Sequence, residues 1–257
     1  MTFHVATVCT NLNPNLGKLI ESCEKQKIAL HILGMNTRYP GNNYKLKCVR
    51  DFAALLPPND IVMFIDAFDV LILKSAEHIL STFSKMKVDL LMGAEKYCYP
   101  APHLANEYLP CASPFRYLNT GTYIGYVRAI CSWIDRMNVN SILERCDQAT
   151  ATMYYLHCLK HPKEFPIPFV LDTQCELFFP LSDVRTEDLM IGADEVYCIP
   201  TNSKPSVIHA NGGSFRFWNE VYDIIVHKSP SIVPDPALKN NTLYCATLLD
   251  DQMWISR

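Results

Sequence analysis

The sequence lacks the marks of several large protein classes. It has no excess of one charge: 23 Lys and Arg stand against 26 Asp and Glu, a net charge of −3. Nothing in that balance draws the chain to nucleic acid or to an anionic membrane surface. No apolar run is long enough to span a bilayer, and the longest, residues 61–73, is broken by Asp66 and Asp69. The amino end, MTFHVATVCT, has no basic stretch leading into a long apolar one. No secretory signal is therefore visible, and a cytoplasmic protein is expected. None of the eleven cysteines forms a CxxC pair, which argues for reduced, mostly buried thiols over a zinc or disulfide framework. GxSxG, HExxH, Walker A and GxGxxG motifs are missing too, as are internal repeats.

What is present is a folded-protein composition, 49% hydrophobic and 19% charged, over a length that can bury a substantial core. Short β-like runs alternate with helix-like stretches, which predicts a parallel-rich α/β sheet. Strands are expected at residues 3–9, 28–35, 61–65, 88–94 and 117–126, with short late strands at 169–171 and 206–208. Helical spacing is read at 16–27, 45–56, 75–87, 127–137 and 148–159, with Ser75 as an N-cap. Residues 97–115 carry four prolines and read as a long loop. No linker divides the chain, so one domain is expected over 1–229, followed by an extension at 230–257 of unassigned structure.

The strongest chemical feature is IVMFIDAFDV at 61–70, where Asp66 and Asp69 follow directly on a fully apolar strand. In open α/β sheets the ligand crevice lies outside the carboxyl ends of the strands. Carboxylates there can hold a hard divalent cation whose remaining positions suit phosphate oxygens. The plainer alternative is a turn cap at Asp69 and a structural hydrogen bond at Asp66. Against it, an uncompensated buried carboxylate is costly, and Asp66 interrupts an otherwise apolar stretch.

Three further motifs follow in order: LNTGTYIG at 118–125, Cys146-Asp147-Gln148, and PSVIHANGGS at 205–214. Smaller segments, LLMGAEKYCYP at 90–100 and FVLDTQCELFFPL at 169–181, complete the series. In this order, and over roughly residues 3–215, the chain resembles the glycosyltransferase domain of the multifunctional procollagen lysyl hydroxylases, with procollagen galactosyltransferases as more distant relatives. The resemblance implies a GT-A (Rossmann-like) fold, a mixed and mostly parallel sheet flanked by helices. It implies transfer of a hexose, glucose or galactose, from a UDP-sugar to a hydroxyl acceptor, with Mn2+ or another divalent cation. A hydroxylysine- or galactosyl-hydroxylysine-like acceptor follows from kinship alone.

Carried over by position, the resemblance makes Asp66, Asp69 and His209 the metal ligands. Thr7, Thr10, Lys45, Phe68, Asn119, Asn211 and Gly212 fall on the nucleotide-sugar side. Phe68 matches an aromatic that stacks on uracil, though core packing explains it equally well. Asp147 is the first candidate for a carboxylate facing the transferred sugar or the acceptor, and Asp172 the second. Asp147 also has the position of a helix N-cap.

Three positions depart from the family pattern. Cys146 thins an acidic run before Asp147, Phe215 stands in place of a lysine with Arg216 beside it, and Tyr99 replaces a tryptophan near the sugar. These departures leave open a nucleotide-sugar-binding protein that has lost transfer. A metal phosphoesterase is disfavoured because two-metal sites need more ligands. Asp250-Asp251-Gln252 comes after the histidine motif and reads as a decoy, and the Asn240-Asn241-Thr242 sequon carries no weight without a secretory signal. The expected partners are a donor sugar nucleotide and a protein or glycan acceptor, without nucleic acid or membrane.

Overall fold

Strand and helix alternate along the chain as the pattern predicts. A computed structural model describes residues 1–191 and 195–227. The extension at 230–257, with the sequon and the second acidic motif, lies outside the described residues. The first half runs β1 (Phe3–Val8), α1 (Pro14–Lys25), β2 (Leu30–Leu33), α2 (Asn43–Ala53), β3 (Ile61–Ile65), β4 (Val70–Ile72), α3 (Ala76–Met86) and β5 (Leu90–Glu95). The second half continues with β6 (Tyr117–Tyr126), α4 (Val127–Met137), α5 (Asp147–Lys160), β7 (Val170–Leu171), β8 (Phe178–Pro180), β9 (Leu189–Ile191), β10 (Val196–Cys198), β11 (Val207–His209) and α6 (Trp218–His227). Among the described residues no helix is long and apolar enough to cross a membrane.

The main sheet has the order β2-β1-β3-β6-β5-β7. β1 pairs in parallel with β2 and β3, β5 pairs in parallel with β7, and β6 runs antiparallel to β3 and β5. Five strands thus run one way and β6 the other, giving the expected α/β, mostly parallel sheet. Its period-2 side chains explain why β3 is apolar throughout. Val62 and Phe64 enter a core with Leu46 and Val49 of α2 and Ile130 and Trp133 of α4. Ile61, Met63 and Ile65 enter a second core with Leu16 and Leu19 of α1 and Ile79 and Phe83 of α3. Each such side chain, fully buried, contributes about 1.5–3 kcal/mol, so β3 is held firmly from both faces.

Helix starts shift where side chains intervene. Asn13 accepts a hydrogen bond from the Asn15 N–H at 2.9 Å and Pro14 occupies the first turn, so α1 begins before Leu16. Ser75 caps α3 as expected, accepting from His78. Asp147 is not an N-cap: Cys146 holds that place without a side-chain cap bond, and Asp147 is the first helical residue. The ten described cysteines are free thiols.

The pattern does not announce β4, β8, β9 or β10, since three-residue pieces are too short to show a period. Two of them matter greatly. A second sheet, β4-β11-β8, pairs β11 antiparallel to β4 and parallel to β8. This pairing returns a segment some 140 residues later in sequence to the turn that follows β3.

Candidate functional site

The carboxyl ends of β1, β3 and β5 open on one edge of the main sheet, and β6 enters from that edge. Asp66 follows β3, and its N–H donates to the Gly121 carbonyl of β6 at 2.8 Å. Asp69 precedes β4. In β11, His209 sits opposite Val70, and the Ala210 N–H donates to the Asp69 carbonyl at 2.8 Å. The two-sheet register therefore brings His209 to the pair of aspartates, with Nε2 3.3 Å from Asp69 Oδ2 and 3.9 Å from Asp66 Oδ2.

One ligand atom from each of Asp66, Asp69 and His209 lies within 4.8 Å of the others, a cluster that could hold a metal ion. Two observations test the fit. His209 is 2% exposed, yet neither ring nitrogen makes an aligned hydrogen bond among the described residues, and a buried polar atom left this way is costly unless something else meets it. Gly121 also keeps the space clear, because a Cβ there would lie 2.2 Å from His209 Cε1 and 2.8 Å from Asp66 Oδ2. One imidazole and two carboxylates suit manganese, zinc or a similar divalent ion. Without the ion, burial pushes the His209 pKa down, but the Asp69 and Asp66 carboxylates more than offset this and hold it above its ordinary value. Burial likewise raises Asp66, against the pull of the Lys45 ammonium.

Two clefts meet at this cluster. The first, about 530 Å³, runs along Val8–Asn13 after β1, Tyr39, Phe68 and Phe215. The second, about 280 Å³, is lined by Glu95, Tyr97, Tyr99, Asn119, Asp147, Asn211 and Gly212. Lys45, Asp66 and Asp69 line both. Lys45 Nζ lies 2.8 Å from Asp66 Oδ1 and 3.0 Å from Asp147 Oδ2. Burial opposes its charge, but the two carboxylates hold its pKa well above the ordinary lysine value.

Most of the residues singled out in the sequence converge here. Thr10 lines the first cleft, as does Phe68, which also packs on the second core. Gly212 takes a positive φ of 61° beside Ser182, and the Asn211 side chain accepts from the Ser182 N–H at 3.0 Å. Thr7 does not reach the cleft; it is sealed within β1. Asp172 requires a correction. It sits at the same sheet edge after β7, but its two oxygens accept from the N–H groups of Glu176, Leu177 and Phe178 at 2.8–3.0 Å. Asp172 lines neither cleft. Its carboxylate organises the 172–178 turn.

Glu95 is the residue that sequence reasoning passed over. It is 1% exposed at the end of β5 and accepts from the side-chain amides of Gln148, Asn119 and Asn211, the last at 2.8 Å. Burial holds its carboxyl above the ordinary range despite those three donors. The available signal was the one used for Asp66, a lone carboxylate closing an apolar strand. Its three partners come from the three downstream motifs, which Glu95 thereby ties together.

The family model described as the PLOD GT domain matches residues 1–228. The chain belongs to the PLOD GT-domain family. A procollagen-lysine,2-oxoglutarate 5-dioxygenase of Drosophila melanogaster is 30% identical over 226 residues, covering 81% of this chain and 30% of that protein. A multifunctional procollagen lysine hydroxylase and glycosyltransferase of Caenorhabditis elegans is 30% identical over 231 residues, covering 84% of this chain and 31% of the relative. This PLOD GT domain thus spans about a third of the length of those relatives. Among solved structures, the galactosyltransferase LgtC in complex with donor and acceptor sugar analogues aligns with a TM-score of 0.47 at 13% identity, covering 90% of this chain and 98% of that one.

Proposed function

We propose that this PLOD GT domain transfers a hexose from a UDP-sugar to a hydroxyl acceptor, with a divalent ion, manganese foremost, held by Asp66, Asp69 and His209. The observation that carries the reading is the placement of these three ligands where the two clefts meet. The larger cleft has the size and the aromatic wall, Tyr39, Phe68 and Phe215, for a nucleotide. The smaller has the carboxylates and amides for a sugar and an acceptor hydroxyl. When bound, the ion would supply Lewis-acid neutralisation of the diphosphate leaving group.

The chain's own residues do the rest. Thr10 and Phe68 orient the nucleoside, and Gly212 lets the backbone approach a phosphate closely. Lys45 contributes a fixed positive charge between the clefts. Asp147 and the amide-bound Glu95 face the sugar and the acceptor. A hydroxylysine- or galactosyl-hydroxylysine-like acceptor is the form that kinship favours.

The test is UDP release from a panel of UDP-sugars with and without manganese, in the parent and in Asp66→Ala and His209→Ala. The reading requires both variants to lose metal-dependent turnover; unchanged turnover would end it. Phe215 in the wall of the first cleft, where the family pattern has a lysine, supports a second reading: a nucleotide-sugar binder without transfer. Calorimetric binding of UDP with manganese, joined to no turnover of any UDP-sugar, would select it.

A further inference from the structure

We propose that Lys45 is a positioning residue that opposes metal binding while the nucleotide cleft is empty and gives up its share of Asp66 once a diphosphate is present. The inference rests on the metal-dependent reading above. It begins with the way α2 is docked on the start of α5. Asn43, fully buried, donates its backbone N–H to the Arg145 carbonyl at 3.0 Å. Its side-chain amide donates to the Ile142 carbonyl at 2.8 Å and to Thr150 Oγ1 at 3.0 Å. A Cβ on Gly41 would lie 2.4 Å from the Glu144 carbonyl oxygen, so the two backbones touch there. This contact sets the first turn of α2, and with it Lys45, against Asp147 in the first turn of α5.

The Lys45 side chain is 14% exposed and that of Asp147 4%. Its ammonium is shared between Asp147 and Asp66 Oδ1, while Asp66 Oδ2 faces His209. One carboxylate, Asp66, thus serves two cationic positions. With the lysine in place, an ion in the Asp66–Asp69–His209 cluster meets a like charge on the same carboxylate, in surroundings that screen it poorly. Two phosphates entering the first cleft, which Lys45 also lines, add negative charge that both cations share. The ammonium can then pair with phosphate oxygens and release Asp66 Oδ1 to the ion, which weakens its opposition to the metal. The lysine therefore makes metal occupancy depend on the nucleotide, and it holds Asp147 in line with the metal end of the site.

The experiment is a Mn2+ titration read by electron paramagnetic resonance, without and then with saturating UDP. It uses the parent, Lys45→Met, Lys45→Arg, Asp147→Asn and the Lys45→Met/Asp147→Asn double variant. Without UDP, Lys45→Met should bind Mn2+ at least about tenfold more tightly than the parent, Lys45→Arg should match the parent, and the double variant should fall between Lys45→Met and Asp147→Asn. With UDP, the gap between parent and Lys45→Met should narrow to within about threefold. Mn2+ affinity that is unchanged or weaker in folded Lys45→Met without UDP overturns the proposal, because a lysine that only packs or only contacts phosphate gives that result. Should Lys45→Met fail to fold, Asp147→Asn is compared with the double variant, where the same tightening supports the proposal and its absence refutes it. A parent that binds no divalent ion refutes the metal reading itself, whereas a parent that binds and does not respond at Lys45 refutes this inference alone.

Discussion

Gly121→Ala should disable the proposed metal cluster without replacing any of its candidate ligands. The added Cβ would stand 2.2 Å from His209 Cε1, 3.0 Å from its Nδ1 and 2.8 Å from Asp66 Oδ2. Reaching an ordinary contact of about 3.5 Å demands a retreat of about 1.3 Å from the imidazole. Little can yield. β6 is paired on both sides, by β3 and β5, and His209 is itself paired with Val70 and Pro180. Metal sites tolerate errors of only about 0.2 Å in ligand distance, so divalent-ion affinity should fall on the order of 100-fold. Overpacking should cost about 1–3 kcal/mol of stability, or about 2–4 °C in Tm per kcal/mol for a chain of this size. The assay pairs Mn2+ titration with urea unfolding of the parent and the variant. A folded Gly121→Ala that binds Mn2+ as the parent does would refute the geometry of the cluster. A loss of stability well beyond 3 kcal/mol would instead show that Gly121 serves the sheet more than the site.

Saturating Mn2+ should raise the Tm, since ligand at 100 times Kd adds about 2.7 kcal/mol; differential scanning fluorimetry should show the rise in the parent and none in His209→Ala. Glu95→Gln presents an amide to three amide donors, so at least one hydrogen bond is lost; urea midpoints should report about 1–3 kcal/mol of destabilisation, with a drop in UDP-sugar turnover, and unchanged values would contradict the network. Asp172 yields a pH prediction. Burial raises its carboxyl to about 6 despite three backbone N–H donors. Because the folded state holds that proton more tightly than the unfolded chain does, the contribution is fully present below about pH 4 and is lost as pH rises through about 6, on the order of 3 kcal/mol in all. The stability of the parent relative to Asp172→Asn should therefore fall from pH 4 to 7, and a flat or opposite trend would contradict it.

The strand-helix alternation was legible because it rests on local periodicity, and β3, β6 and α4 fall at the expected residues. The candidate ligands were legible because carboxylates at the end of an apolar strand need a reason to be there. Their order along the chain, shared with the lysyl hydroxylase glycosyltransferase domains, supplied His209. Asp172 misled because a carboxylate that ties down a turn and one that meets a ligand look alike in sequence. Only the three N–H donors of residues 176–178 tell them apart. Glu95 carried the same signal at the end of β5, but no second carboxylate stands beside it, and its three amide partners are distant in sequence.

By itself the sequence determined that this chain is an α/β domain with an acidic strand end, and which residues could carry its chemistry. The tertiary structure decided which of them meet. The three-residue β4 and β11 pair in a register that sets His209 beside Asp69. The docking of α2 on α5 turns Lys45 into a counter-ion for both Asp66 and Asp147. Periodicity records how each segment buries its own apolar face. Contacts between segments a hundred residues apart depend on register and close backbone approach, as at Gly41 and Gly121, and those exist only once the chain has folded.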